Sequence, residues 1–481
     1  MADLAELAFA GWQAEEERQR QKNIVLVRDY YDGDQHVRLT QRQKEYLGFA
    51  DSGRFAINYC TTVINAVWER LIVAALTSQD KTLSETAWDW WQHNRMDEKQ
   101  DGVHRGAVRD GEYFVIVDLD DELQPRFTPH PRYTEPLSDG TGFGCKAHYP
   151  NDMTTLPMEF ATKRWTETVT LENGKPETRQ RMTVYYPDQI RKYRQAARTG
   201  ESGWVPHQDD GDTAWPIPWR DMRGQSLGIP VIHFRNPDIK SEIWDAIPPQ
   251  DAVNKTAIDI LAAADAAGFP IRIAQGFSAT TDGKPPASDG SNYLELTSGC
   301  WIEIPKDATA TLMEGTDLAP LIAALDSWIV KLAQVTDTPI SRFQITRQVA
   351  AEGTLKQQEN VLLSKVRVRQ TRFGNSWEDM LYMACRLANT ANAGLNEDAQ
   401  IEVEWMPAAT RDEKQHIETL GLKREKLNIP LEMLWAEAGY SQEDIEAMMV
   451  TEEYQARLNM QKQAAAMFGQ REETEEEQDK P

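Results

Sequence analysis

Cysteine is scarce: four residues, Cys60, Cys145, Cys300 and Cys385, stand in a chain of 481, at least 85 residues apart and without a CxxC pair. That spacing excludes a disulfide framework and a thiolate metal site, and the four read as reduced packing residues. Long apolar runs are also missing. No stretch exceeds about six residues, LIVAAL at 71–76 being typical, and the opening MADLAELAFAGWQAEEERQRQ is acidic where a secretory signal needs basic residues. Neither secretion nor a membrane span is expected. Positive charge is in short supply, with 52 basic against 76 acidic residues and a formal charge of −24. Such a chain does not seek out nucleic acid or anionic membrane from free solution.

Catalytic signatures are absent as well. The sequence contains no GxxxxGK[ST], HExxH or GxSxG, and GTGFG at 140–144 lacks the GxGxxG spacing, so it reads as a loop. The eight histidines are scattered with no i, i+4 pair; His93, His104 and His207 read as structural or surface residues. Two carboxylate clusters, Asp118–Glu122 at a hairpin tip and Asp209–Asp212 in a Gly-rich loop, have the composition for Mg²⁺ or acid/base work, but a solvated turn explains each as well. No cofactor and no metal is expected.

At this length and 40% apolar composition the chain is long enough for two to four domains. The first third mixes helices and strands. Leu4 to Tyr31 reads as helix, Phe55 to Leu76 as a helix with one buried face, and the stretch to Gly111 as further helices. EYFVIVDL pairs with LQPRFTP across Asp120-Asp121-Glu122, and Asn173-Gly174 marks a second hairpin between TETVTL and TRQRMTVYY. Residues 195–227 read as irregular surface, and GIPVIHFRN as a strand. Helix resumes from Ser241 and stops at Gly268 and Pro270. After short β-like runs, Asp317 to Val335 forms a helix with Asp317 as N-cap, Pro320 in its first turn and a stripe at Leu318, Leu321, Leu325, Trp328, Leu332 and Val335.

No proline occurs between Ser341 and Met406, and apolar residues recur at Leu355, Leu362, Val366, Phe373, Trp377, Leu381, Ala384 and Ala388. This pattern predicts a helix of roughly 35 residues, entered from the polar stretch QITRQVAAEG. A strand at QIEVEW, helices from Thr410 to about Phe468 and an acidic disordered tail follow. From Arg342 to Arg372 seven basic residues face two acidic ones. This stripe either neutralises acidic neighbours in another domain or subunit, or meets a polyanion.

In order and spacing, several stretches resemble the portal (head-to-tail connector) proteins of tailed bacteriophages, of the siphovirus type: YYDGDQ, FAINYCTTVINAVWERL, GAVRDGEYFVIVDLDDELQPRFTPHPRY, VYYPDQIRKY, GIPVIHFRNPD, SEIWDAIPPQDAVNKTAIDI and VAAEGTLKQQENVLLSKV. They cover most of residues 20–390. The resemblance implies a mainly helical α+β fold and a homo-oligomeric ring, usually of twelve subunits, at one capsid vertex. Double-stranded DNA would pass through it without sequence specificity. It implies a wing at 1–240, stem helices at 241–268 and 317–336, a clip at 269–316 and a tunnel loop at 337–354. A long helix and strand at 355–407 would return to the wing, followed by a crown at 408–470 and a tail at 471–481. Loop residues Arg342, Gln344, Arg347, Gln348 and Lys356 would face the DNA, with Gly353 and Gly374 as hinges. Implied partners are the terminase large subunit, the major capsid and scaffolding proteins and a head-completion adaptor, all met in the virion or during assembly in the bacterial cytoplasm. The family pattern has Ser-Gly or Thr-Gly before the long helix, whereas this chain has Glu352-Gly353-Thr354. A metal-dependent nuclease or phosphoesterase using the acidic clusters, and a capsid or adaptor protein without a channel, are the alternatives.

Overall fold

A computed structural model describes residues 4–35, 55–134, 142–150, 155–170, 176–196, 203–209, 211–212, 214–268, 272–275, 309–312, 317–343, 352–409, 413–427, 429–438 and 448–451. The chain divides into two compact units, Met1–Ala408 and Ala409–Pro481.

The expected N-terminal helix is two: α1 (Leu4–Gln13) and α2 (Glu15–Asp32). The expected helix over Phe55–Leu76 is a correction. Only Cys60–Trp68 is helical (α3), and Val73–Ser78 is a strand, β1. The reason lies far away in sequence. β1 pairs antiparallel with β13 (Ile401–Trp405), so backbone groups that a local helix would satisfy are met by a strand more than 300 residues on. The residues before α3 are held similarly: Gln250 accepts from the Tyr59 N–H and donates to the Ile57 carbonyl, while Asn254 accepts from the Ile57 N–H.

Helices α4 (Lys81–His93) and α5 (Met96–Asp110) follow. The Asp80 carboxylate caps α4 by accepting from the Thr82 and Leu83 N–H groups. Gly111 ends α5 at φ +91, a conformation that L side chains rarely adopt. The chain then enters β2 (Glu112–Leu119) and β3 (Pro125–Pro131), paired as expected across the acidic turn. A third strand, β10 (Val231–Arg235), completes the order β10-β2-β3. The larger sheet comprises β4 (Gly144–His148), β5 (Phe160–Thr170), β6 (Pro176–Tyr185), β7 (Gln189–Gln195) and β8 (Trp204–Pro206), with β9 (Ile217–Pro218) against β7. β5 and β6 form the second expected hairpin; its Asn173-Gly174 turn lies outside the described residues.

Alternation along the strands explains the layering. Val115, Val117, Ile232 and Phe234 point into the main helical core. Phe114, Ile116 and Val231 point the other way, onto Cys145 and Ala161 of the larger sheet. The far face of that sheet is covered by α1, where Ala5 and Ala8 meet Met182, Val184, Tyr193 and Trp204.

Helices α6 (Ile247–Gly268) and α7 (Ala319–Val335) pack side by side. α6 leaves the core beside Ala246, and α7 returns to it at Leu332. Strands β11 (Arg272–Gln275) and β12 (Thr309–Leu312) pair between them; the YLELTSG and CWIEIP runs and Cys300 lie outside the described residues. α7 begins two residues later than expected, although Asp317 still accepts from the Ala319 N–H at 2.9 Å. Val335 is exposed rather than on the buried stripe, which ends on Ile329, Leu332 and Ala333.

The proline-free stretch folds as a single helix, α8 (Glu352–Thr390), of 39 residues. Leu362, Val366, Phe373, Trp377, Leu381, Ala384 and Ala388 are all buried, so the periodicity identified the correct face. α8 starts at Glu352, so Gly353 stands inside its first turn instead of before it. The second unit contains α9 (Glu413–Leu427) and α10 (Leu431–Ala438); the acidic tail lies outside the described residues. Among the described residues no helix is long and apolar enough to cross a membrane. Cys60, Cys145 and Cys385 are free and buried, as packing residues should be.

Gly144, at φ +142, passes so close to residue 132 that an added Cβ would stand 2.2 Å from the Arg132 carbonyl oxygen. Gly144→Ala should therefore destabilise the protein by about 2–4 kcal/mol, read as a lower urea midpoint with an unchanged slope; an unaltered midpoint would contradict this packing.

Candidate functional site

Of the residues expected to face DNA, Arg342 lies in a 3-10 turn, Ile340–Arg342. Gln344, Arg347 and Gln348 lie outside the described residues. Lys356 and Gly353 are on the helical backbone of α8. The structure shows how the two ends of the intervening stretch are held. The Arg342 guanidinium is 3.6 Å from the Glu69 carboxylate, and the Phe343 ring meets Tyr59 edge-on at 5.5 Å between centroids. On the other side, Glu359 of α8 pairs with Arg70 at 3.5 Å. Arg70 also donates to the Ala66 and Ala408 carbonyls. Two adjacent residues at the end of α3, of opposite sign, thus hold both flanks. The signal for this was the WERL tetrapeptide, which periodicity alone reads as part of a longer helix.

The basic stripe on α8 splits in two. Lys365 and Arg369 are neutralised within the chain: both contact Glu242, at 2.9 and 2.6 Å. Arg369 also donates to Asn236, and Lys365 to the Thr336 carbonyl at the end of α7. Burial pulls the Arg369 guanidinium below its usual range, against the opposing attraction of Glu242. Arg367 and Arg372 are exposed. Gly374 lies where α8 runs unbroken, with the Trp405 indole over it.

The acidic clusters are engaged in structure. Asp118 forms a paired contact with Arg126, the shorter arm 2.6 Å. Asp120 accepts from the Glu122 and Gln124 N–H groups; the Gln124 bond is the largest influence keeping its carboxyl below the usual range. Asp209 and Asp212 share Lys192, at 2.6 and 2.7 Å. Asp210 lies outside the described residues. Among the described residues no three His, Cys, Asp or Glu side chains gather where they could hold a metal ion.

Sequence reading missed two buried polar assemblies. In the first, Arg132 is sealed between Glu17 and Glu112, and Glu17 also accepts from Tyr133 and Lys146. Glu112 takes further bonds from Arg20 and His233, at 2.7 and 2.8 Å. Burial alone would raise the Glu112 carboxyl, but Arg20, His233 and Arg132 together hold it well below the usual range. The second is His104, fully buried. Its Nδ1 lies 2.8 Å from the Leu71 carbonyl and its Nε2 accepts from the Trp377 indole at 2.9 Å. That geometry fixes a neutral tautomer with the proton on Nδ1. Burial pushes its pKa down to about 3. No local motif announces either assembly, because partners come from segments up to 273 residues apart.

Several of the charged groups join one element to another: α8 to the entry of α6, α2 to the sheets, and the flanks of residues 344–351 to α3. A family profile described as "Phage portal protein, SPP1 Gp6-like" matches residues 12–465, and the chain belongs to that family: it is a phage portal protein. Among solved structures it is similar to "Neck of native GTA particle computed with C12 symmetry", at 10% identity and TM-score 0.39, covering 79% of this chain and 89% of that one. It is also similar to "Virion of native gene transfer agent (GTA) particle", at 12% identity and TM-score 0.37, covering 80% and 86%. No curated protein matches it.

One buried and two half-buried neutral histidines should make the fold acid-sensitive. Burial first, aided by nearby cations for His130 and His148, lowers His104 and His148 to about 3 and His130 to about 4, from an ordinary value near 6.5. The unfolded chain therefore binds more protons, and the histidine contribution is fully present above pH 6.5 and lost as pH falls toward 4 and 3. Each should cost about 1.4 kcal/mol per pH unit near pH 5. Urea titrations at fixed protein concentration should show this slope, reduced in His104→Gln; constant stability from pH 7 to 5 would exclude it.

Proposed function

We propose that copies of this chain close into a ring of twelve at one capsid vertex, through which double-stranded DNA enters during packaging and leaves during ejection. The wing is the layered part over residues 1–240, the stem the α6–α7 pair, and the clip the region containing β11 and β12. The loop at 337–354 borders the tunnel, and residues 408–470 form the crown. The clip side faces the terminase large subunit, which supplies ATP hydrolysis, and later a head-completion adaptor. Major capsid and scaffolding proteins meet the ring from the shell side. The chain itself performs no chemistry and carries no cofactor.

The observation that carries this reading, alongside family membership, is the α6–α7 pair. Its core end is buried, yet farther out Leu261 and Ile322 are each more than 40% exposed. Apolar side chains left on a helix pair of a single copy are those that neighbouring copies would cover. Charge fits the same reading. DNA carries about one negative charge per 1.7 Å of axis, so a wall built from a −24 chain encloses the duplex without gripping it. Arg342, Gln344, Arg347, Gln348 and Lys356 supply a thin contrasting zone. Gly353 and Gly374 act as hinges for the loop and the helix behind it.

Electron microscopy of the purified full-length protein should show rings with a central hole; a 54.7 kDa monomer under every assembly condition would refute the reading. Arg347→Glu should leave rings intact and reduce packaged or retained DNA several-fold. Normal DNA length in particles carrying that substitution would remove Arg347 from the tunnel.

A further inference from the structure

α8 has a second face. Opposite the buried Leu362, Val366, Phe373 and Trp377, Val361, Ser364, Val368, Thr371 and Asn375 follow one another at alternating steps of three and four, which places them along one side of the helix. All five are exposed, and Val361 and Val368 keep 53% and 44% of their surface accessible. This is the pattern of a helix that packs along another helix. β-Branched residues occupy one set of positions and short polar ones the other, so that two backbones can approach closely. Arg367 and Arg372 flank the stripe, are exposed, and form no ion pair among the described residues. Lys365 and Arg369, farther round the helix, are by contrast held by Glu242.

The chain carries a surface to match. On α7, Ile322, Asp326 and Val330 stand at steps of four and are exposed, with the small Ala323 and Ser327 beside them. Val361 and Val368 are about 10 Å apart along their helix, and Ile322 and Val330 about 12 Å along theirs, at 1.5 Å per residue. Asp326 forms no ion pair among the described residues, and the single cation of α7, Lys331, lies over the Trp328 ring at 4.4 Å. The two faces therefore complement each other in charge as well as in spacing. A DNA duplex fits the α8 stripe less well: it would meet two guanidiniums but set Val361 and Val368 against a phosphate backbone.

We propose that the outer stripe of α8 in one copy packs on α7 of a second copy of this chain, with Arg367 or Arg372 against Asp326. Because the two faces differ, the contact is heterologous. It leaves one face of each kind unfilled at the ends of any open row of copies, and both are filled when the row closes into a ring. The contact rests on the ring reading above and names the two surfaces that build it.

The test uses full-length protein carrying either Val330→Cys or Val368→Cys in a Cys300→Ser background; Cys60, Cys145 and Cys385 are buried. The two variants are mixed before assembly and treated with a bismaleimide. The mixture should give a cross-linked dimer on a denaturing gel, and neither variant alone should. Arg367→Glu combined with Arg372→Glu should raise the concentration for half-assembly about tenfold, read by sedimentation velocity, with a larger effect at low salt. Adding Asp326→Arg should recover most of that loss. Charge reversals that leave assembly unchanged would overturn the proposal, as would cross-linking of Val368→Cys alone, which would mean α8 against α8. So would duplex DNA that shields Val368→Cys from the maleimide, which would place the stripe in the tunnel. Rings without the cross-link would refute this contact alone, and the cross-link without rings would refute the ring reading alone.

Discussion

A line of hydrogen bonds from the Leu71 carbonyl through the His104 imidazole to the Trp377 indole crosses the centre of the main core. All around it is apolar: Phe373 stacks on the imidazole, and Phe234 and Trp91 meet the Trp377 ring edge-on. In such surroundings an unmade hydrogen bond is costly, so the three groups can be buried together but not separately. The line joins the segment between α3 and β1 to α5 and α8. It therefore helps set the rotation of a 39-residue helix against the elements packed around it. The contacts of α8 with Glu242 ahead of α6 and of Ser376 with β10 are made on the same helix.

Charge is handled differently inside and outside the molecule. Within, Arg132 between Glu17 and Glu112, and Glu242 between Lys365 and Arg369, are closed sets in which each ion has an opposite neighbour. Removing one member leaves the others buried and uncompensated, which costs more than the pair itself contributes. These sets define where elements meet. Outside, the net excess is acidic, with exposed cations such as Arg367 and Arg372 interspersed.

The α6–α7 pair and α8 are joined by short polar contacts. Lys365 of α8 donates to the Thr336 carbonyl at the end of α7 and pairs with Glu242 ahead of α6. Arg70 and Glu69 hold the two flanks of residues 344–351 from α3.

Much of this was present in local sequence. The buried face of α8, the β2–β3 and β5–β6 hairpins, the strand at β10 and the stop at Gly268 follow from periodicity and turn chemistry, because neighbours along the chain determine them. The ordered motifs from YYDGDQ to VAAEGTLKQQENVLLSKV were enough to indicate the portal family. Tertiary structure alone decided that Val73–Ser78 is a strand rather than the end of a helix, since its partner is Ile401–Trp405. It alone decided which basic residues of α8 are neutralised within the chain, that His104 is a buried hydrogen-bonding centre, and that Arg132 closes a charge network. Those outcomes depend on distance through space between groups hundreds of residues apart, and burial and electrostatic pairing are functions of that distance, to which spacing along the chain gives no access.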